Sequence, residues 1–215
     1  MKKIRILICN VSYQASAGSF IKLLRNSRYF DCYIVGCDVI EKGYSSGSML
    51  VDKFYPIPCT HNSQQYIYII KDICQNENID LILSAEEKDL VLFKQHKIPQ
   101  AIYKYIPDES LFKLFSDKHL ANRSISENGI LIPHTINTRT DFEASNSSTF
   151  IYRKRISCCS RGIRVLERNE INDKYIFCSP EHITQEFIEG KKYTVDVFCD
   201  REGGVRMIVP RESLS

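Results

Sequence analysis

The chain has 215 residues, 43% of them hydrophobic, which is enough for one large or two modest domains with real cores. Its formal charge is +3, from 29 lysines and arginines against 26 acidic residues. The basic residues form no long run and do not interleave with aromatics, which argues against a nucleic-acid surface. No window reaches membrane-spanning length, and the N-terminal apolar run lacks a signal-peptide cleavage pattern. We therefore expect a globular protein with neither nucleic acid nor membrane as a partner.

The nine cysteines are odd in number, form no CxxC pair, and in several cases lie within apolar, strand-like runs. A zinc site or a disulfide framework needs closer clustering or an even set, so we predict buried free thiols. Free thiols persist in a reducing compartment, and the cytoplasm is therefore the expected location. The cysteines are Cys9, Cys32, Cys37, Cys59, Cys74, Cys158, Cys159, Cys178 and Cys199.

Three apolar runs in the first hundred residues predict buried strands, at residues 4–9, 32–37 and 79–84. Amphipathic helices are predicted between and after them, which favours a Rossmann-like α/β fold with a parallel sheet covered on both faces. Ligands bind such sheets outside the carboxyl ends of the strands. The residues expected at this edge, as a substrate rim, are Asn10, Asp38 and Glu86.

The helices of this part are predicted from apolar side chains three and four residues apart. The first opens near Ser16, and the side chains expected on its buried face are Phe20, Leu23 and Leu24. The second has Ser63 as its expected N-cap. The apolar side chains that follow at helical spacing are Tyr66, Ile69, Ile70, Ile73 and Cys74. A third helix follows over residues 86–96, and its early acids, Glu86 and Glu87, suit the helix dipole equally well without a ligand.

Asp38 follows the second strand at the place where a dinucleotide-binding fold presents an acid to a ribose. The loop after the first strand, NVSYQASAGS, lacks the GxGxxG fingerprint. A nicotinamide-dependent enzyme is therefore disfavoured, and an acid in a solvated loop is the alternative interpretation of Asp38.

A seam near Pro107 divides the chain into a first domain, residues 1–105, and a second domain, residues 106–215. In the second domain, Asp117 is expected to cap a helix that stops at Gly129. From Thr149 onward the pattern predicts strands in quick succession and one short helix. The strands are expected at residues 149–155, 163–166, 183–188, 191–200 and 204–210, and the helix at 167–174.

Turn chemistry at residues 189–192 and 200–204 indicates that these strands are mostly antiparallel. Residues 183–188 and 193–197 in particular have the alternation of an antiparallel hairpin. The layout is an α/β domain followed by an α+β segment.

Three consecutive cations, Arg153, Lys154 and Arg155, precede the small-residue loop 157–162. Side chains alternate along a strand, so Arg153 and Arg155 share one face. The backbone N–H groups of such a loop can cover phosphates while the cations neutralise their charge. The alternative is an edge strand whose cations discourage aggregation.

Five ordered segments together resemble the ATP-grasp superfamily, in particular proteins similar to the large subunit of carbamoyl-phosphate synthase and amino-acid ligases of that branch. The segments are DK at 117–118, NGILIP at 128–133, the cationic strand with a loop ending in SRG, QEFIEGKKYTVD at 185–196, and PR at 210–211. The resemblance covers the whole chain. It implies a Rossmann-like pre-ATP-grasp domain followed by the N-terminal and central part of an ATP-grasp domain.

The resemblance implies that Lys118 and Arg153 contact the phosphates of ATP, and that the QEFI segment meets adenine. The residues expected to bind ATP are Lys118, Arg153, Arg155, Ser157, Ser160, Arg161, Gly162, Gln185, Glu186, Phe187 and Ile188. Phe187 and Ile188 would supply apolar walls for the base.

The same resemblance implies ATP and Mg²⁺ as cofactors, and an ATP-dependent carboxylate-amine or ammonia ligase acting through an acyl phosphate. The partners would be ATP and a small carboxylate or amine substrate, with a homodimer possible. The acidic magnesium ligands of the family are expected beyond Ser215, so the 215-residue chain alone is expected to be inactive.

The sequence departs from the family pattern at two further places. Ser157, Cys158 and Cys159 stand where the family loop has glycines, and Lys192 stands where an acid commonly holds the ribose. A non-catalytic nucleotide or anion binding module is therefore the alternative function.

Overall fold

The computed structural model describes nine segments of the chain and divides it into two compact units, Met1–Pro107 and Asp108–Ser215. No helix among the described residues is long and apolar enough to cross a membrane. The described segments are residues 1–12, 14–44, 46–58, 63–84, 86–99, 108–157, 162–176, 180–200 and 202–213.

The first unit contains a four-stranded parallel sheet in the order β3-β2-β1-β4. The predicted parallel α/β fold is thus confirmed. The strands are β1 (Lys2–Cys9), β2 (Phe30–Asp38), β3 (Lys53–Pro56) and β4 (Leu81–Ser84). Strand β3 was not predicted from the sequence, because its four residues begin with a charged lysine and end in proline, so that no apolar run marks them.

The helices of the first unit are α1 (Gln14–Arg25), α2 (Ser46–Met49), α3 (Ser63–Asn76) and α4 (Glu87–Gln95). Alternate residues of β1 belong to two separate apolar clusters, since side chains of a strand point to opposite faces. Leu7 and Cys9 pack in one cluster with Ile70 and Phe93, and Ile6 packs in the other. Both faces of the sheet are therefore buried, as its near-continuous apolar strands predicted.

The buried face of α1 differs from the predicted one. Phe20 and Leu23 are 39% and 70% exposed, whereas Ala17 and Ile21 are buried and Leu24 packs partly against the core. The apolar side chains of this helix cover more than one face, so their spacing alone did not identify the side that meets the sheet. The face of α1 that packs towards the core carries Ala17, Ile21 and Leu24, at helical spacing.

The second unit contains an antiparallel sheet in the order β5-β8-β6-β7, with one apolar cluster that includes Phe150 and Ile176. Its strands are β5 (Thr135–Ile136), β6 (Thr149–Lys154), β7 (Arg164–Glu167) and β8 (His182–Glu186). Its helices are α5 (Glu109–Ser116), α6 (Lys118–Glu127), α7 (Arg139–Ala144) and α8 (Asp173–Ile176). A 3-10 turn at Arg168–Glu170 precedes α8, where one short helix was predicted.

The predicted hairpin between residues 183–188 and 193–197 is wrong. β9 (Tyr193–Cys199) pairs instead with β10 (Val205–Glu212), in a separate two-stranded antiparallel sheet. β8 is hydrogen-bonded to β5 on one edge and to β6 on the other. A strand has two edges, and with both occupied β8 has none left for β9.

The predicted boundaries of α6 are confirmed. The Asp117 carboxylate accepts hydrogen bonds from the backbone N–H groups of His119 and Leu120, at 2.9 and 3.4 Å. At the other end Gly129 has a φ of +76°, the left-handed conformation that stops helices at glycine.

The described cysteines are free thiols, but they are not all buried. Cys9, Cys32, Cys37 and Cys74 are buried, and burial raises the pKa of the Cys74 thiol to about 12. Cys199 is exposed, which corrects the prediction. It lies at the end of β9, where every described strand residue is exposed. The remaining four cysteines lie outside the described residues.

Candidate functional site

Two of the three predicted rim residues, Asn10 and Glu86, line a cavity of about 290 Å³ in the first unit. Asn10 follows β1 directly, with a φ of +57°, and Glu86 is the N-cap residue of α4 after β4. The cavity therefore lies at the carboxyl edge of the parallel sheet, where ligands of such folds bind.

The third rim residue, Asp38, is buried at the end of β2 and is not among the described residues that line this cavity. Its carboxylate accepts hydrogen bonds from the backbone N–H groups of Ser12, at 2.7 Å, and Ile40, at 3.1 Å. Both oxygens thus hold loop backbone, so Asp38 stabilises the loops that follow β1 and β2.

Asp89, an acid of the first turn of α4, also lines the cavity and was not predicted from the sequence. It is only 6% exposed. Its Oδ2 atom accepts hydrogen bonds from Asn10 Nδ2, Ser84 Oγ and the Tyr66 hydroxyl, each at 2.7 Å. An acid in a first turn ordinarily faces solvent near the helix dipole, so no local signal distinguishes this one.

Burial raises the pKa of the Asp89 carboxyl above its ordinary value, although Ser84 and Tyr66 donate hydrogen bonds that oppose the shift. Burial likewise raises the pKa of Tyr66, which keeps its phenol protonated as a hydrogen-bond donor. Tyr66 was predicted only as part of the apolar face of α3. Its ring packs against that core while its hydroxyl reaches the carboxylate.

In the second unit, Lys118 begins α6 and contacts the start of the predicted phosphate loop. Its Nζ atom donates hydrogen bonds to the Ser157 carbonyl at 2.8 Å, the Ser157 hydroxyl at 3.1 Å and the Arg155 carbonyl at 3.1 Å. Ser160 and Arg161 lie outside the described residues. Gly162, at the far end of the loop, is exposed and has a φ of +73°.

Arg153 lies near the end of β6 and is partly buried. One of its terminal nitrogens donates a 2.7 Å hydrogen bond to Gln185 Oε1 on the neighbouring strand β8. Its Nε atom is buried without a hydrogen-bond partner, and no described carboxylate forms an ion pair with it. The guanidinium is thus partly desolvated without an opposite charge among the described residues, and this burial lowers its pKa.

Arg155 is held differently, because Asp117 neutralises it. Two of its guanidinium nitrogens contact the Asp117 carboxylate at 2.6 and 3.0 Å, and a third donates to the Pro180 carbonyl at 3.1 Å. Burial opposes ionisation of Asp117, but the hydrogen bonds from Arg155 and from the α6 backbone outweigh it and lower the pKa of the carboxyl. Arg155 thus joins β6 to the start of α6.

The predicted adenine segment has a buried part and an exposed part. Gln185 is 2% exposed and donates from Nε2 to Thr135 Oγ1 at 3.1 Å, while Glu186 accepts a hydrogen bond from the Ser145 hydroxyl at 2.5 Å. Phe187 and Ile188 follow β8 and are 36% and 63% exposed. Apolar surface is therefore available to a base at these two residues.

The described residues include no group of three or more histidine, cysteine, aspartate or glutamate side chains that could hold a metal ion. Glu212 follows the predicted PR segment, but its carboxylate already contacts Lys191 Nζ at 3.1 Å and the Tyr193 hydroxyl at 3.2 Å.

The two units match two protein families. Residues 115–215 match the family described as ATP-grasp domain, and residues 6–102 match the family described as PylC-like, N-terminal domain. Residues 115–215 therefore form an ATP-grasp domain, as the resemblance predicted for the second unit. The N-terminal unit is of the PylC-like type. A comparison with curated proteins finds no match.

Solved structures of the superfamily share this fold. The biotin carboxylase domain of Hydrogenobacter thermophilus 2-oxoglutarate carboxylase, solved as a dimer with MgADP, ADP and bicarbonate, superposes with a TM-score of 0.68 at 14% identity. The superposition covers 97% of this chain and 49% of the biotin carboxylase chain. The L-amino acid ligase from Bacillus licheniformis matches at a TM-score of 0.61 and 13% identity, over 100% of this chain and 52% of that chain. The chain thus spans about half the length of these relatives.

Proposed function

We propose that this chain is the ATP-binding portion of an ATP-dependent ligase that joins a carboxylate to an amine or to ammonia, similar to the large subunit of carbamoyl-phosphate synthase. The ATP-grasp fold and the ligase and carboxylase neighbours support the general class. The proposal adds the substrate chemistry, the residues that bind ATP, the cytoplasm as the location and a possible homodimer.

The observation that carries the proposal is the uncompensated charge of Arg153. A desolvated guanidinium without a carboxylate partner is unfavourable by itself, and a phosphate would provide both the missing charge and acceptors for its free N–H groups. Gln185 fixes the orientation of this side chain from β8. We therefore assign Gln185 the positioning of Arg153, while Arg153 itself contacts phosphate.

The remaining predicted ATP-binding residues fit around this cation. Lys118 would reach the phosphates beside the loop that begins at Ser157, which it already contacts. The exposed side chains of Phe187 and Ile188 would hold adenine, with backbone groups after β8 as hydrogen-bond partners. We assign Arg155 a supporting role, because Asp117 already neutralises it.

The proposed reaction has two steps. A substrate carboxylate oxygen attacks the γ-phosphorus of ATP, which breaks the bond to the β-phosphate oxygen and gives an acyl phosphate and ADP. The amine nitrogen then attacks the acyl carbon, phosphate leaves, and the nitrogen loses a proton to give the amide. In the first step Lys118 and Arg153 would stabilise charge on the phosphate oxygens.

Calorimetric titration with ATP tests the role of Arg153. We expect Arg153→Ala to weaken ATP binding about tenfold to a hundredfold, because a hydrogen bond to a charged group contributes roughly 1.5–3 kcal/mol. The matched control is Lys154→Ala, which removes the exposed cation next to it on the same strand and is expected to leave the affinity within about twofold. Equal affinity of Arg153→Ala and the unmodified protein would remove Arg153 from this role.

The charge at Lys192 favours a second candidate, a nucleotide or anion binding module without catalytic activity. An exposed lysine stands where the family commonly has an acid, and it cannot accept hydrogen bonds from ribose hydroxyls. Phosphate release by a full-length chain that depends on an added carboxylate and amine supports the ligase. Persistent absence of this release from the full-length chain, together with tight nucleotide binding, supports the module.

A further inference from the structure

We propose that the cavity at the carboxyl edge of the first unit's sheet binds a small molecule that carries a primary ammonium group on a short apolar body. Its identification as the amine-bearing substrate of the ligase rests on the proposed function. The binding itself depends only on residues of the first unit.

The first argument is the incomplete pairing of Asp89. All three of its hydrogen bonds converge on Oδ2, and Oδ1 accepts none from the described residues. No described lysine or arginine forms an ion pair with this carboxylate, although it is 6% exposed. Buried charges in proteins are ordinarily paired with an opposite charge. A cation in the adjoining cavity would supply the missing partner.

The second argument is the sign of the charge around the cavity. Glu86 and Asp89 are its acids, and Lys88 is the one cation among the described lining residues. An anionic ligand would meet two carboxylates in a partly desolvated site, where like charges repel strongly. An ammonium group would instead gain from both of them. Glu86 also raises the pKa of Asp89 by its charge, a repulsion that a bound cation would relieve.

The third argument is the shape and character of the walls. A volume of about 290 Å³ lies at the lower end of the range that holds ligands, roughly 300–1,000 Å³. The ligand is therefore small. Away from the acids the cavity is lined by apolar side chains, among them Val39, Ile57 and Leu92. They suit a short hydrocarbon body behind the ammonium group.

The carboxylate is also held in place before any ligand arrives. Its three donors come from the loop after β1, from α3 and from the end of β4, so Asp89 is fixed from three directions. Ser84 and Tyr66 direct their hydroxyl protons to Oδ2 and leave Oδ1 for the ligand. Such preorganisation reduces the ordering that binding would otherwise require.

Titration of the ¹⁵N-labelled chain with three matched compounds, followed by NMR, tests this site. We expect n-butylammonium to shift the amide signals of Ser84, Glu86 and Asp89 saturably. 1-Butanol, its uncharged equivalent of the same size, is expected to bind at least tenfold more weakly, and butyrate is expected to cause no saturable shift. Equal binding of butylammonium and butanol would overturn the proposal, and so would a preference for butyrate or no saturable shift with any compound.

Three substitutions test whether Asp89 and Glu86 cause the preference for butylammonium over butanol. Asp89→Asn keeps the size of the side chain, and it should remove the preference for butylammonium over butanol. Glu86→Gln tests the same charge effect at a partly exposed position and should weaken butylammonium several-fold, even if Asp89→Asn does not fold. Lys88→Gln is the control and should not weaken it. Unchanged butylammonium affinity in Glu86→Gln, or in a folded Asp89→Asn, would contradict the proposal.

Titrating the same labelled chain with ATP and with butylammonium distinguishes failure of this inference from failure of the proposed function. If ATP binds through Arg153 but butylammonium shows no preference, only the ammonium site is wrong. If butylammonium binds selectively while ATP affinity does not depend on Arg153, only the assignment of the nucleotide site is wrong.

Discussion

Three buried carboxylates of this protein are stabilised in three different ways. Glu77 forms ion pairs with two cations, Lys53 and Arg5. Asp117 caps α6 and forms an ion pair with Arg155. Asp89 receives hydrogen bonds from neutral groups alone among the described residues. The first two carboxylates are thus paired with cations, and the third has no cation among the described residues.

At the residue scale, we predict that Glu77→Gln lowers the free energy of unfolding by about 1–3 kcal/mol. The Glu77 side chain is 6% exposed and accepts hydrogen bonds from Lys53 Nζ and the Tyr55 hydroxyl, both at 2.5 Å. Its cationic partners remain partly solvated, which limits the loss. Urea unfolding measures it, with Glu41→Gln, an exposed acid of the same unit, as the control expected to change little.

The effect of Glu77→Gln also depends on pH. The hydrogen bond from Lys53, followed by that from Tyr55, lowers the pKa of Glu77 below its ordinary value. A lowered folded-state pKa stabilises the protein above the unfolded-state pKa, about 4.3, and this contribution is lost as pH falls through the folded-state pKa. The difference in stability between Glu77→Gln and the unmodified protein should therefore shrink as the pH is lowered from 7 to below 4. A difference that grows over this range would contradict the assignment.

At the element scale, local signals fixed the ends of α6, whereas strand pairing depended on distant partners. Asp117 and Gly129 act on neighbouring backbone, so their roles could be read from the sequence. The pairing of β8 could not, because its partner residues in β5 and β6 lie 28 to 50 residues away in the chain. The short segment β5 carries no strand signal of its own, yet it occupies the edge that a hairpin would need.

We predict that Gly129→Ala destabilises the second unit by about 1–2 kcal/mol, because an alanine at a φ of +76° meets the left-handed backbone penalty. A Cβ at this position would have no heavy atom within 4 Å, so the loss comes from the backbone alone. Gly129→Asn is the matched control, since asparagine tolerates this conformation, and it should be less destabilising than alanine. Thermal unfolding of the two variants compares them, and equal stability would show that the φ of Gly129 does not matter.

The β9–β10 hairpin is held by contacts across its own strands. Arg211 Nε contacts the Asp196 carboxylate at 2.6 Å, and Asp200 accepts hydrogen bonds from Gly204 N and Arg206 Nε in the turn. The hydrogen bond from Arg211 lowers the pKa of Asp196. Isolated two-stranded hairpins are marginally stable in water, so these polar contacts add to the strand pairing.

At the scale of the whole molecule, each apolar cluster belongs to one unit. The two clusters of the first unit are drawn from residues 4–98, and the cluster of the second unit from residues 136–176. Each unit therefore has a core of its own, which is the usual property of a domain. The proposed ammonium-binding cavity and the proposed phosphate-binding cations likewise lie in different units.

We predict that residues 1–107 expressed alone fold into a stable α/β domain, because both apolar clusters that sandwich its sheet are internal to it. The measurements are far-UV circular dichroism and thermal unfolding, which should show mixed helix and strand and a single cooperative transition. Ile70→Ala in this fragment, at a fully buried core position, should lower stability by about 2–5 kcal/mol. Absence of a cooperative transition in the unsubstituted fragment would contradict the prediction.

The sequence by itself determined the features that depend on neighbouring residues. The apolar strands, the amphipathic helices and the cap at Asp117 follow from local pattern, because burial and backbone geometry repeat along the chain. The ordered segments add a resemblance to the ATP-grasp superfamily. The family matches and the fold confirm them.

Only the tertiary structure decided which charged side chains are compensated. Arg153 and Arg155 look equivalent in the sequence, yet only Arg155 is neutralised, by the distant Asp117. Asp38 was singled out from the sequence and Asp89 was not, yet Asp38 holds loop backbone while Asp89 lines the cavity. Arg153 and Asp89 are left desolvated without an opposite charge among the described residues. The physical reason is that desolvation and pairing depend on which groups meet in space, and those groups are supplied by strands and helices far apart along the chain.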